Sequence, residues 1–173
     1  GKLGERIFSP LVTVLEDPFI PKAPGSAPFD DEGVATARRT VVAEGVLQGW
    51  FLSTYSGRKL GLPSTGNAGG ARNLFVPPTH ESREALLREM GRGLLVTELM
   101  GHGVNPVTGD YSRGAAGFWV EGGEIVHPVS EITIAGNLLQ MFAAIGGVAD
   151  DARPCHRYRL GSTLIEAMQV AGD

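Results

Sequence analysis

The stretch of residues 94–136 constrains the fold of this chain more than any other. It opens with an apolar run, residues 94–99, and breaks into a loop rich in Gly, Asn, Asp and Ser. A strand-like run follows at residues 115–120, and after a turn at Glu121-Gly122-Gly123 the chain returns through residues 124–134. A polar, glycine-rich loop between apolar strands is the arrangement by which a rigid sheet presents groups to a ligand. The pattern therefore predicts neighbouring strands that display this loop.

Other segments predict the rest of the sheet and its helices. Thr79 is the expected N-cap and Gly91 the expected end of a helix over residues 79–90, and Asn137 is the expected cap of a second helix over residues 137–145. The remaining predictions are a strand at residues 11–15, a proline-rich loop at 17–29, a hairpin over 38–53 turning at Glu44-Gly45, a helical turn at 54–60, and one or two strands in 156–170. Together they predict an α+β fold with two main helices and a largely antiparallel, curved β-sheet.

Composition limits the class of protein. A chain of 173 residues with 42% hydrophobic content is long enough for one core, so a single domain is expected. The net charge of −4 argues against a nucleic-acid binder. The single cysteine, Cys155, favours a reducing, cytosolic compartment, and no apolar run is long enough to cross a bilayer. Residues 1–10 resemble the interior of a protein, so we expect a fragment of a longer chain.

The candidate metal ligands do not form a complete motif. His80-Glu81 begins a histidine–glutamate pair, but no second histidine follows one helical turn later. Glu98 and His102 are four residues apart, a spacing that aligns two side chains on a helix, whereas this segment has the pattern of a strand followed by a turn. The sequence therefore predicts no metal site built by this chain alone.

Nucleophile and phosphate motifs are equally incomplete. Ser56 and Lys59 fit S-x-x-K, in which a lysine could deprotonate the serine, but the companion motifs are absent. Residues 61–68 have the glycine spacing of a P-loop without its Lys-Ser/Thr pair, and the acidic residues 30–32 are expected to form a solvated turn. What remains is a sheet suited to binding another chain or an extended peptide along a strand edge.

Five runs of residues resemble one known family. They lie at residues 55–61, 64–70, 97–101, 107–114 and 131–137, and include YSGRKLG, STGNAGG and VTGDYSRG. In this order they resemble the C-terminal half of the PmbA-type subunit, also called TldE, of the TldD/PmbA family, whose older label is modulator of DNA gyrase. The resemblance covers residues 1–173, which correspond to a C-terminal domain. The residues that would match the family's N-terminal half are not in this sequence.

The resemblance implies a cytoplasmic bacterial metallopeptidase assembled from two related subunits. In this family the TldD-type subunit binds zinc through an H-E-x-x-x-H helix and a cysteine, and it cleaves unfolded peptides. This chain contains no H-E-x-x-x-H, and Leu160 lies near the position expected for the cysteine. The resemblance thus implies an inactive, zinc-free subunit whose partner is a TldD-like subunit that holds the zinc.

The resemblance also gives the central loop a role. We expect seven residues to line the peptide chamber or contact the partner: Glu98, His102, Asn105, Asp110, Tyr111, Ser112 and Arg113. The other interpretation is a tight connection whose polar groups satisfy its own backbone. Two alternative functions also stay open, a regulatory interaction module of the gyrase-modulator type and a serine hydrolase at Ser56 and Lys59.

Overall fold

The computed structural model describes residues 1–172, which contain three helices and eleven strands. The helices are α1 (Thr54–Leu60), α2 (Arg83–Met90) and α3 (Leu138–Ala143). The strands are β1 (Val14–Asp17), β2 (Arg39–Ala43), β3 (Val46–Leu47), β4 (Asn73–Phe75), β5 (Arg92–Met100), β6 (Asp110–Glu121), β7 (Glu124–Asn137), β8 (Ile145–Val148), β9 (Tyr158–Arg159), β10 (Thr163–Ile165) and β11 (Gln169–Ala171). None of the described helices has the length and apolar character that crossing a membrane requires.

The first of two compact units comprises Gly1–Pro77 and Asp151–Gly161. Its five strands are hydrogen-bonded in the order β3-β2-β1-β4-β9, with only the β4–β9 pair parallel. Val41, Val42 and Leu47 form its buried apolar cluster. The predicted hairpin turn between β2 and β3 is confirmed, because Glu44 and Gly45 both have positive φ, at 46° and 82°, but the second strand expected up to residue 53 ends at Leu47. Two successive positive φ values are what a tight hairpin turn requires.

The second unit comprises residues 78–150 and 162–172. It contains a four-stranded sheet in the order β11-β7-β6-β5 and a separate β8–β10 pair, all antiparallel. Ala115, Ile132 and Ile134 form the buried centre of the larger sheet. The predicted turn between β6 and β7 is confirmed, with Gly122 and Gly123 at positive φ. The long hairpin of β6 and β7 thus supplies the framework of this unit.

The α+β class with mostly antiparallel pairing is confirmed, and the strands are divided among three sheets. The predicted start of the second-unit helix was wrong: α2 begins at Arg83, with Ser82 as its N-cap. Thr79 cannot serve as the cap because its backbone N–H donates to Val148 O (2.8 Å) and its hydroxyl accepts from Val148 N (2.9 Å).

Other predicted boundaries also shift. The strand expected at residues 11–15 is β1, three residues later, and the helix expected at 137–145 ends at Ala143 because β8 starts at Ile145. The helical turn at 54–60 is a complete short helix, and the tail contains three strands where one or two were expected. Pairing with strands from other parts of the chain sets these boundaries. A pattern within one segment contains no information about that pairing.

Candidate functional site

The central loop is shorter than the sequence indicated. It spans residues 101–109, because β6 already begins at Asp110. Asp110, Tyr111, Ser112 and Arg113, expected in the loop, therefore lie in a strand. They pair with the C-terminal part of β7, from Asp110 opposite Asn137 to Arg113 opposite Ile134. Local composition favoured a loop, and this long-range pairing overrides it.

Asn105 organises the loop from within. Its side-chain Oδ1 accepts from the backbone N–H groups of Val107 (2.9 Å) and Thr108 (3.3 Å). Its own N–H donates to Asp110 O (2.8 Å), and its carbonyl accepts from Gly109 N (2.8 Å). An asparagine that hydrogen-bonds the backbone two residues on forms an Asx turn. Asn105 thus fixes the loop conformation.

Asp110, the first residue of β6, also stabilises the central loop. Its carboxylate Oδ2 accepts from the hydroxyl of Thr108 at 2.6 Å. The adjoining carbonyls are bound as well, since Thr108 O accepts from Asn137 Nδ2 (3.0 Å) and Gly109 O accepts from Leu138 N (2.7 Å). The loop is therefore held to the first turn of α3, and its polar groups largely satisfy its own backbone.

Arg113 and Tyr111 also contact the unit itself. Arg113 reaches back to the end of β5, where Nη2 donates to Leu99 O (3.3 Å) and Nε to Met100 O (3.5 Å). Tyr111 is half-buried and packs against the apolar cluster around Ile132 and Ile134. Both side chains can contribute to a surface, but their observed contacts are structural.

Three of the predicted residues remain free for an external contact. Glu98, His102 and Ser112 are exposed, and no side-chain hydrogen bond joins any of them to another residue of the described part of the chain. Glu98 lies in β5 opposite Ala116, and His102 lies just after the strand. The expected strand-then-turn geometry of this pair is confirmed. Their role in contacting a partner stays a prediction.

A groove of about 940 Å³ lies beside β5 within the second unit. β5 is an outer strand of its sheet, so one side of its backbone has no neighbouring strand among residues 1–172. Apolar side chains dominate the lining, among them Leu94, Val96, Tyr111, Trp119, Met141 and Met168. An unpaired strand edge beside apolar pockets is the arrangement that binds extended peptides by strand addition.

The first unit contains a buried polar network that the sequence did not reveal. Glu16 is 3% exposed, and its carboxylate accepts from Arg39 Nε (2.7 Å), Asn67 Nδ2 (2.8 Å) and Arg72 N (2.6 Å). Arg39 also donates to Asn67 Oδ1 (2.8 Å) and to Trp50 O (2.7 Å). The network attaches the STGNAGG loop to β1 and β2. An acidic residue placed directly after the apolar residues 14 and 15 of β1 was the available signal.

Asp30 also holds the STGNAGG loop in place through hydrogen bonds. The solvated turn expected for residues 30–32 holds for Asp31 and Glu32, which are exposed, but it is wrong for Asp30, which is buried. Its Oδ1 accepts from two backbone N–H groups of its own turn and its Oδ2 from Ala68 N, each at 2.9 Å. Burial raises the pKa of Asp30, but these N–H donors and the charge of Arg72 outweigh it, so the pKa lies below its usual value.

Ser56 is part of a helix cap. Its hydroxyl accepts from Ser53 N (2.9 Å), while Ser53 Oγ accepts from Ser56 N (3.2 Å), a reciprocal capping box at the start of α1. Within residues 1–172 no hydrogen bond joins Ser56 to Lys59, which is exposed. The geometry gives this serine a structural role.

The donor set does not fit a catalytic zinc. Such a site takes three protein ligands and leaves one position open. Across residues 1–172, no three His, Cys, Asp or Glu side chains are grouped to hold a metal ion. Cys155 is exposed in the first unit, whereas Glu98 and His102 belong to the second. We therefore derive no catalytic step through a metal on this chain.

Comparison with known proteins identifies the family. The model of the PmbA/TldA metallopeptidase C-terminal domain matches residues 1–172. The chain belongs to the PmbA/TldD metallopeptidase family. The matched residues include both compact units, and the resemblance carried by the five sequence runs is confirmed.

Relatives of both types are similar to this family member. The metalloprotease PmbA of Escherichia coli O157:H7 is 52% identical over 171 residues, which cover 99% of this chain and 38% of PmbA. The metalloprotease TldD homolog of Haemophilus influenzae is 28% identical over 163 residues, 87% of this chain and 33% of that protein. The chain thus spans 33–38% of the length of these relatives.

Solved structures of the family have the same fold. A Thermotoga maritima protein described as a modulator of a DNA gyrase matches with a TM-score of 0.90 and 42% identity, over 99% of this chain and 41% of that one. TldE from Thermococcus kodakarensis matches with a TM-score of 0.85 and 28% identity, over 99% of this chain and 42% of that one.

Proposed function

We propose that this chain is the C-terminal domain of the zinc-free subunit of a TldD/TldE-type metallopeptidase that cleaves unfolded peptides in the cytoplasm. The observation that carries the proposal is the 52% identity to a PmbA, and the match to a solved TldE with a TM-score of 0.85 supports it. The missing H-E-x-x-x-H and the exposed, free Cys155 are consistent with it. Zinc and hydrolysis then belong to the TldD-type partner.

The second unit supplies the surfaces for this role. The free side chains of Glu98, His102 and Ser112 surround the end of β5, and the loop behind them is fixed by Asn105 and Asp110. A contact surface on a rigid loop loses little conformational entropy on binding. The apolar groove along β5 is a reason to propose that the chamber binds an extended, unfolded peptide.

A regulatory interaction module is the second candidate. It is supported by the Thermotoga maritima relative, which is described as a modulator of a DNA gyrase. The net charge of −4 indicates a protein partner in this case, since a nucleic-acid site needs a basic face.

A pair of charge-changing substitutions at the end of β5 tests the partner contact. In the full-length protein, Glu98→Lys combined with His102→Glu is expected to weaken binding to the TldD-type subunit about tenfold or more, because both side chains are free for an external contact. Biolayer interferometry with the immobilised partner measures the effect.

Glu81→Lys is the matched control, an exposed glutamate of the same unit that precedes α2. It should leave binding unchanged. Equal affinities for the wild type and the double variant would remove Glu98 and His102 from the interface.

A further inference from the structure

The turn before β9 and β9 itself form an arginine-rich edge of the first unit. Residues 152–161 carry three arginines, one histidine and no acidic residue, in a chain of net charge −4. Arg153 is exposed, and Arg157 and Arg159 are half-buried. No carboxylate of the described residues forms an ion pair with any of the three. Arg157 Nη2 donates to the backbone carbonyl of Ala71, and its guanidinium lies 5.5 Å from the centroid of the Tyr158 ring, but no carboxylate neutralises the charge of these arginines.

Hydrogen-bond donors without acceptors concentrate at the same place. Within residues 1–172, the buried side-chain nitrogen or oxygen atoms that lack a partner are the Nε atoms of Arg72, Arg157 and Arg159. They belong to adjoining segments, because β9 pairs with β4, which follows Arg72 directly. The charge of Arg72 acts on Asp30, whereas Arg157 and Arg159 have no such carboxylate. These Nε atoms are enclosed by the chain itself, so an external carboxylate would reach Arg157 and Arg159 through the outer nitrogens of their guanidinium groups.

The backbone of β9 is open on its outer side. The carbonyls of Arg157 and Arg159 face β4, since they accept from Leu74 N and Val76 N at 3.0 Å each. Successive residues of a strand point their hydrogen-bonding groups to opposite sides, so Tyr158 directs its N–H and C=O away from β4. The side chains of Tyr158 and Leu160 are 56% and 54% exposed. The edge thus offers backbone pairing, apolar contact and unneutralised arginines together.

We propose that the β9 edge binds an extended acidic segment of another polypeptide. The segment adds as a strand beside Tyr158, and its Asp or Glu carboxylates bind the guanidinium groups of Arg157 and Arg159. Charge complementarity selects the acidic residues, and the open backbone selects a polypeptide over a nucleic acid. This interaction requires neither a metal nor a TldD-type partner, so it stands or falls separately from the proposed peptidase role.

Fluorescence anisotropy on the full-length protein tests the proposal. The probe is a labelled peptide of alternating Asp and Val, compared with the same peptide carrying Asn for Asp and with a labelled single-stranded DNA of similar charge. The acidic peptide is expected to bind about tenfold more tightly than the Asn peptide at low ionic strength, with an affinity that falls as salt is added.

Variants separate the two parts of the site. Arg159→Gln removes one guanidinium group, and Tyr158→Pro removes the outward N–H without affecting the hydrogen bonds to β4. Each substitution should therefore lower the affinity for the acidic peptide about tenfold. Tyr158→Ala keeps that N–H, so its affinity for the acidic peptide should fall less than that of the proline variant. Arg88→Gln, an exposed arginine of α2, should change nothing.

Thermal unfolding confirms that each variant is folded before binding is measured. Three results contradict the proposal: equal binding of the Asp and Asn peptides, binding of the DNA as tight as that of the acidic peptide, or undiminished binding in either Arg159→Gln or Tyr158→Pro.

Discussion

Replacing Glu16 with alanine is expected to lower the free energy of unfolding by about 3–5 kcal/mol, the typical cost of removing one partner from a buried ion pair. Glu16 accepts three hydrogen bonds, and its side chain is 2% exposed beside Arg39, whose side chain is 19% exposed. Without the carboxylate, the guanidinium of Arg39 stays in a poorly hydrated position. Urea unfolding followed by circular dichroism measures the change.

Two further variants establish the cause. Glu16→Gln keeps the shape and an acceptor, so it should cost less than Glu16→Ala. Glu5→Ala removes a carboxylate whose pair with Lys2 is exposed on both sides, and stability should change little. If Glu16→Ala were as mild as Glu5→Ala, the buried network would not stabilise the first unit.

Gly117→Ala should lower the free energy of unfolding by about 2–3 kcal/mol, the upper part of the usual range for overpacking a core. A Cβ at this buried position would lie 1.9 Å from Leu95 O and 3.0 Å from Val96 Cα. Both are backbone atoms of the neighbouring strand, so neither can move without breaking the ladder. The pairing registers of β5 with β6 and of β6 with β7 are irregular next to Gly117, which makes a close backbone approach necessary there.

Gly114→Ala is the matched control in the same strand. Its Cβ would lie 3.4 Å from the side chain of Met100, an ordinary contact. Urea unfolding and hydrogen exchange of the β5–β7 amides should show loss of stability and protection for Gly117→Ala and near-wild-type behaviour for Gly114→Ala. Equal behaviour of the two variants would contradict the close approach at Gly117.

The sequence predicted those elements whose signals are local. The hairpin at Glu44-Gly45 and the turn at Gly122-Gly123 follow from residues that accept positive φ, and Asn137 caps α3 as expected. The start of α2 was missed because Ser82 and Thr79 are both good N-caps. A contact with Val148, 69 residues later, decides between them.

The candidate site was predicted only in part, for a similar reason. Asn105 and Asp110 are residue types that bind ligands and also fix turns, and only the folded loop shows that Asn105 bonds to its backbone and Asp110 to the hydroxyl of Thr108. Residues 110–113 look like a loop until β7 pairs with them. Glu16 was overlooked because its partners Arg39 and Asn67 lie 23 and 51 residues away. Long-range contacts therefore decide what local patterns leave open.

If this subunit acts with a zinc-bearing partner, peptide cleavage should require both proteins. The full-length protein is assayed on an unfolded peptide alone and with the TldD-type subunit, each with and without a zinc chelator. Cleavage is expected only when both subunits are present, and the chelator is expected to abolish it. Cleavage by this subunit alone that survives the chelator and is lost in Ser56→Ala would contradict this expectation.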